Sequence, residues 1–209
     1  MIFKDIRKNN LVEKYLYYIQ EDKFLSDITI SIDLDKFISG KSNKLIIAGL
    51  SGSGKTTLCK SLADKYNTSC FETDICLERP FNSEARVDEE ALKEIFNKMY
   101  FNCIEPRMKT KKREVIEGGA VFQTYVFHPE LRAKLNYPVI ILGTSSLLSS
   151  IRSIIRKGNT RILNPRRLYK AYLKNFVYLS HLLKTFREER IKAGGDIKEF
   201  VIPKDIIEA

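Results

Sequence analysis

The chain of 209 residues predicts a three-layer α/β domain, a parallel five-stranded sheet with helices on both faces. Two observations carry that expectation. From residue 44 to residue 203, short apolar runs alternate with segments of helical periodicity. In addition, Gly49-Leu50-Ser51-Gly52-Ser53-Gly54-Lys55-Thr56 fits G-x-x-x-x-G-K-[ST] at every required position. It lies between the apolar run Lys44-Leu45-Ile46-Ile47-Ala48 and a segment with Leu58, Leu62 and Ala63 at helical spacing.

A strand, a glycine loop and a helix in that order describe a phosphate-binding loop. Glycines at 49, 52 and 54 let the backbone curl so that several N–H groups converge on one anion. The helix that follows aims its positive end at the same place. Lys55 is expected to reach the β- and γ-phosphates and the Thr56 hydroxyl to sit on Mg²⁺, with Ser51, Ser53 and Thr57 completing the cradle. The expected ligands are ATP and Mg²⁺.

Composition narrows the class. Hydrophobic content of 44% with 30% charged residues is that of a water-soluble globular protein. No apolar run is long enough to span a bilayer, and Met1-Ile2-Phe3-Lys4-Asp5 does not begin a signal peptide. Cys59, Cys70, Cys76 and Cys103 form no C-x-x-C pair, and His128 and His181 are scattered, so a zinc site is not expected. Reduced thiols in the cytoplasm are the simpler expectation. The net charge of +10 is confined to residues 151–192, where twelve basic residues face only Glu188 and Glu189. Such a field suits nucleotide phosphates or a nucleic acid backbone, and equally a solvated helix face.

Taken in order, residues 1–43 read as an extension packed on a domain spanning 44–209. An amphipathic helix is expected over roughly Asn10 to Leu25, then a half-buried strand with Ile28, Ile30 and Ile32 alternating with polar residues. A second core strand ends in Glu72-Thr73-Asp74 and is followed by a loop containing Arg79 and Arg86. Asp88 caps a helix that carries Leu92, Ile95, Phe96, Met99, Tyr100 and Cys103, with Pro106 beyond its end. The basic run Arg107 to Arg113 reads as solvated. Glu114-Val115-Ile116-Glu117-Gly118-Gly119 is the third strand and Tyr137 to Leu142 the fourth, with a short helix at 128–135 between them. A helix from Ser145 to Lys157 has Leu147, Leu148, Ile151, Ile154 and Ile155 as its apolar face, and Arg152 and Arg156 on one side. Pro165 opens a long helix to about Lys192, and Glu199 to Pro203 supplies a fifth strand.

A phosphate loop fixes the cofactor and leaves the reaction open. No Asn/Thr-Lys-x-Asp motif is present to read guanine, and for the long apolar strand ending in Asp, often followed by Glu, of a motor ATPase the nearest candidate is Val115-Ile116-Glu117, with no Asp-Glu pair after it. With these residues the chain resembles the P-loop small-molecule kinases, the shikimate, gluconate, adenylate and nucleoside kinase group. The resemblance spans roughly residues 43–203 and implies a nucleotide-kinase-like P-loop fold. Glu72-Thr73-Asp74 looks like the D-x-D at the second strand of shikimate kinases, with Glu72 in place of the first Asp. Glu117-Gly118-Gly119 is similar to their glycine-rich third strand end, which borders the substrate. Arg152 and Arg156 look like the lid arginines of adenylate-kinase-like folds, although the lid, around 152–167, is short.

The resulting expectation is a kinase that moves the ATP γ-phosphate to a small acceptor, a nucleoside or nucleotide. Asp74 is placed to orient or deprotonate an acceptor hydroxyl, or else it caps a turn. Glu117 would touch Mg²⁺, or else is a solvated strand end. Arg152, Arg156 and Arg161 would neutralise phosphate charge, or else decorate an amphipathic surface. Arg79 and Arg86 would meet an anionic acceptor. Two alternatives stand beside it: a kinase acting on a hydroxyl of DNA or RNA held by the 151–192 stretch, and a non-catalytic nucleotide-dependent binding module.

Overall fold

The apolar run before the glycine loop forms β2, Lys44–Gly49, in the middle of a six-stranded sheet. The computed structural model describes residues 20, 29–76, 94, 97, 98, 100–118, 137–156, 165–192 and 194–200. All of β2 is buried, because β4 (Glu114–Glu117) and β5 (Val139–Leu142) flank it, both parallel to it. A strand covered on both faces needs continuous apolar residues rather than alternation, and Leu45-Ile46-Ile47-Ala48 supplies them. β3 (Ser69–Glu72) extends the parallel set at the free edge of β4.

The far half of the sheet corrects the expected five parallel strands. β1 (Thr29–Ile32) lies between β5 and β6 (Ile197–Phe200), antiparallel to both, giving the order β3-β4-β2-β5-β1-β6. The sheet is therefore mixed. Residues 33–43, which include the short helix α1 (Leu34–Ile38), return the chain from β1 to β2. A parallel crossover takes about a dozen residues or more, so a connection this short favours reversal of direction. The alternation at 28–33 suggested one solvated face, yet Thr29 and Ser31 are as buried as Ile30 and Ile32. An interior strand has both faces covered.

Alternate residues divide the core. Ile46, Ala48, Ile116, Val139 and Ile141 pack on one face with Tyr100, Ile104 and Met108, and with Phe176, Leu179 and Leu183 of the long helix. Leu45, Ile47, Val115, Ile140 and Leu142 pack on the other with Phe37, Leu58 and Leu62. Each fully buried isoleucine contributes about 2 kcal/mol of transfer free energy. The long helix runs Pro165–Lys192, the span expected from Pro165 and Gly194-Gly195.

Two local expectations change. A wide helical turn at Tyr100–Ile104 runs directly into a short helix α3, Glu105–Lys109, with Pro106 in its first turn. Proline opens this helix instead of lying past the end of the previous one, since a first-turn N–H has no intrahelical acceptor to lose. The run Arg107 to Arg113 is also more than a solvated stretch. The Arg107 guanidinium lies 4.4 Å from the Phe71 ring and donates to Glu114 Oε1 at 3.2 Å. Arg113 lies 4.5 Å from the Phe37 ring. Fully buried Lys44 donates to Glu114 Oε2, Thr110 Oγ1 and the Lys112 carbonyl at 2.9, 2.8 and 2.8 Å. The buried carboxylate of Glu114 at the amino end of β4 draws Lys44 and Arg107 inward, while Arg113 is held by Phe37.

The expected helices at 10–25 and 128–135, most of the helix from Asp88, and residues 201–203 lie outside the described residues. No described helix is long and apolar enough to cross a membrane.

Candidate active site

β2 enters the loop at Gly49, where β5 leaves no room for a side chain. A Cβ there would stand 2.9 Å from Ser53 Oγ and 3.2 Å from Leu142 Cβ. Gly52 and Gly54 adopt φ of +81° and +89°, the left-handed region that glycine enters at no steric cost. These turns curl the segment and launch helix α2, Lys55–Lys65, capped by Gly54. The first amides of α2 have no acceptor in their own helix, and its positive end faces the loop. The arrangement can take an anion.

Lys55 is only 8% exposed, and its Nζ donates to the Leu50 carbonyl at 2.8 Å, folded back on the loop. Thr56 Oγ1 donates to Glu117 Oε1 at 2.7 Å. Thr57 and Ser51 are exposed. Glu117 closes β4, in register with Glu72 on β3 and Ile47 on β2. Burial raises its pKa above the ordinary carboxylate value. The Thr56 hydroxyl and the Lys55 charge lower it, while Asp74 and Glu72 raise it further. The acid is thus poised among like charges in a dry place.

Asp74 follows β3 in a tight turn, Thr73–Cys76, with its side chain exposed. Buried Thr73 donates to the Glu117 carbonyl at 3.0 Å, pinning this turn to the end of β4. A Cβ on Gly118 would fall 2.2 Å from Thr73 Oγ1 and 3.0 Å from Asp74 Oδ1. Glu72 stands 3.8 Å from Lys60 at the surface.

Helix α4, Ser146–Arg156, packs on the outside of the loop. Exposed Arg152 donates from Nη1 to the Gly52 carbonyl at 3.3 Å. The orientation of α4 corrects the expected apolar face. Leu147, Leu148 and Ile155 are 44%, 42% and 58% exposed, whereas Ser146, Ser149 and Ser150 are buried. The loop backbone lies against this serine face: Ser149 donates to the Ser51 carbonyl of the loop, while Ser150 donates within α4 to the Ser146 carbonyl at 2.7 Å.

The structure therefore brings together the loop, Lys55, Thr56, Asp74, Glu117, Gly118 and Arg152, with Glu72 beside Glu117. Arg156 ends α4, and its side chain lies outside the described residues, as do Arg79, Arg86, Gly119 and Arg161. Sequence reading missed Thr73 and Ser149. The spacing 146, 149, 150, 153 does mark a serine face, but its meaning depends on what packs there.

Among the described residues, no three His, Cys, Asp or Glu side chains converge to hold a metal by themselves. Thr56 and Glu117 offer two hard oxygen donors, in a site whose excess of carboxylate favours a cation.

The thiols overturn the expectation of reduced cysteines. Cys59 on α2 and Cys70 on β3 form a disulfide, with Cα atoms 5.5 Å apart, and Cys103 is disulfide-bonded too. Spacing along the chain conceals the first pair because α2 turns straight back into β3 beside it.

No protein family profile matches the chain, and no curated protein matches it. Among solved structures it is similar to a gluconokinase from Sinorhizobium meliloti 1021, at 15% identity and a TM-score of 0.38, covering 70% of this chain and 96% of that one. At that level no residue role passes from one protein to the other.

Proposed function

We propose that the chain is an ATP- and Mg²⁺-dependent phosphotransferase acting on a small acceptor, a nucleoside or nucleotide. One observation carries the reading: Lys55, Thr56 and Glu117 meet at the start of α2, with Asp74 alongside at Gly118. The loop amides and the end of α2 receive the β- and γ-phosphates. Lys55 leaves the Leu50 carbonyl for the stronger, charged acceptor. Thr56 and Glu117 would hold Mg²⁺, which binds through one or two protein oxygens plus phosphates and water, and which neutralises charge on the phosphates. Asp74 accepts the proton of the acceptor hydroxyl. Arg152 adds positive charge, and the lid expected from the sequence around 152–167 would bring Arg156 and Arg161 to the same phosphates. Glu72 and Gly118 border the acceptor side, and the acceptor is also where the sequence leads us to expect Arg79, Arg86 and Gly119.

Phosphoryl transfer depends on positioning and charge neutralisation, and this set of groups provides both. Lys55→Ala should reduce transfer from labelled ATP by about 10³-fold, with an unchanged circular dichroism spectrum. Full activity in that variant would remove the assignment. A pooled screen of nucleosides and nucleotides identifies the acceptor.

A second reading enlarges the acceptor to a nucleic acid hydroxyl. Lys170, Lys174 and Lys184 on the long helix are exposed, and this favours it. Oligonucleotide binding that falls steeply with salt supports this reading, and no binding at low salt eliminates it.

A further inference from the structure

Two successive carbonyls of the glycine loop are held from one side by α4. Ser149 Oγ donates to the Ser51 carbonyl at 2.5 Å, and Arg152 Nη1 donates to the Gly52 carbonyl at 3.3 Å. A trans peptide is planar, so anchoring the carbonyl of one residue turns the N–H of the next to the opposite side. No described peptide bond here is cis. The consequence is visible at Ser53, whose N–H is directed at the Leu50 carbonyl 3.2 Å away, the same oxygen that Lys55 Nζ meets at 2.8 Å. The amides after the anchored carbonyls thus point toward the lysine side of the loop.

The anchor is itself fixed. Ser149 is fully buried, and Asn175 of the long helix donates to neighbouring Ser150 Oγ at 2.7 Å, setting the rotation of α4. A Cβ on Gly52 would lie 3.0 Å from Arg152 Cβ and 3.3 Å from the Ser149 carbonyl. The two backbones are thus close enough for the one-carbon hydroxyl side chain of Ser149 to reach the loop directly.

We propose that Ser149 is a positioning residue of the phosphate loop: its hydroxyl holds the Ser51 carbonyl against α4, so that the Gly52 amide is already aimed at the phosphate chain. This rests on the reading of residues 49–56 as a phosphate cradle. Donors set before the ligand arrives need no reorganisation on binding. Without the hydroxyl, a carbonyl turned toward a helix flank loses its partner, and the peptide is free to rotate.

The probe is inorganic tripolyphosphate with Mg²⁺, titrated calorimetrically into the full chain and its variants. Ser149→Ala and Ser149→Cys should each weaken binding about tenfold. The cysteine keeps the volume with a much weaker donor, so it reads the same contact even where the alanine variant does not fold. Ser153→Ala should stay within about twofold of wild type, because among the described residues Ser153 bonds to the Ser51 side chain, at 3.4 Å, and to no loop carbonyl. In ¹H–¹⁵N spectra, the shift of the Gly52 amide on adding tripolyphosphate should be lost in the Ser149 variants, while that of Gly54 persists. Equal affinity in wild type and the Ser149 variants overturns the proposal. A wild-type chain that binds no tripolyphosphate overturns the phosphate cradle itself, which is a separate result.

Discussion

The Thr56 hydroxyl donates to Glu117 Oε1 across 2.7 Å, joining the first turn of α2 to the carboxyl end of β4. This bond places a buried acid against the start of the helix that follows the glycine loop. Burial, with repulsion by Asp74 and Glu72, outweighs the Thr56 hydroxyl and the Lys55 charge at that acid.

The sign of the resulting pH dependence is definite. Because the folded-state pKa of Glu117 is raised, the folded protein holds that proton more tightly than the unfolded chain. Its contribution to stability therefore declines as pH rises through the carboxylate range. Glu117→Gln keeps an acceptor for Thr56 and removes the charge. Thermal melts of the ligand-free variant should show a gain over wild type at neutral pH that disappears in acid. Parallel profiles for the two proteins would refute the buried-charge account.

At the other end of the sheet the sign reverses. Burial raises the Glu114 pKa, but the hydrogen bond and charge of Lys44, with Arg107 and Lys112, outweigh it and hold the net value low. That stability is present above the ordinary carboxylate range and is lost as pH falls through it. Lys44→Met should cost roughly 3–5 kcal/mol, because a buried carboxylate loses its closest cation. Urea melts of Lys44→Met and of Lys44→Met/Glu114→Leu test this. The double variant should recover most of the loss, and equal losses in both would contradict the pairing.

Gly118→Ala should be severe for its size. Its φ is +140° and the new Cβ would fall 2.2 Å from Thr73 Oγ1. Overpacking and backbone strain together suggest a loss of roughly 3 kcal/mol. The turn carrying Asp74 would be pushed off the end of β4, so activity should fall even well below the melting temperature. A variant with wild-type stability and turnover would show that this contact is loose.

The Cys59–Cys70 disulfide closes a short loop, with a separation of 11 residues, between α2 and β3. Cys59→Ala/Cys70→Ala should lower stability by about 2–3 kcal/mol. A melting temperature equal to that of wild type would show that packing alone holds the two elements.

Much of the half that holds the glycine loop was legible because its signals are local. Glycines at positive φ, a lysine and threonine at a helix start, and a continuous apolar strand before them need no distant partner to be interpreted. Pro165 and Gly194-Gly195 bracket the long helix for the same reason. Asp74 and Glu117 could be singled out as acids at strand ends, but Thr73 could not. Its role depends on Glu117, 44 residues away in the chain.

The sequence by itself determined that residues 44–65 make strand, glycine loop and helix, since local backbone preference and apolar patterning are sufficient for that. Tertiary structure decided that β1 enters the sheet antiparallel, that α4 turns its serines inward, and that Cys59 meets Cys70. Periodicity tells that an element has two faces. Which face is covered, and by what, depends on the neighbours that the rest of the chain brings to it.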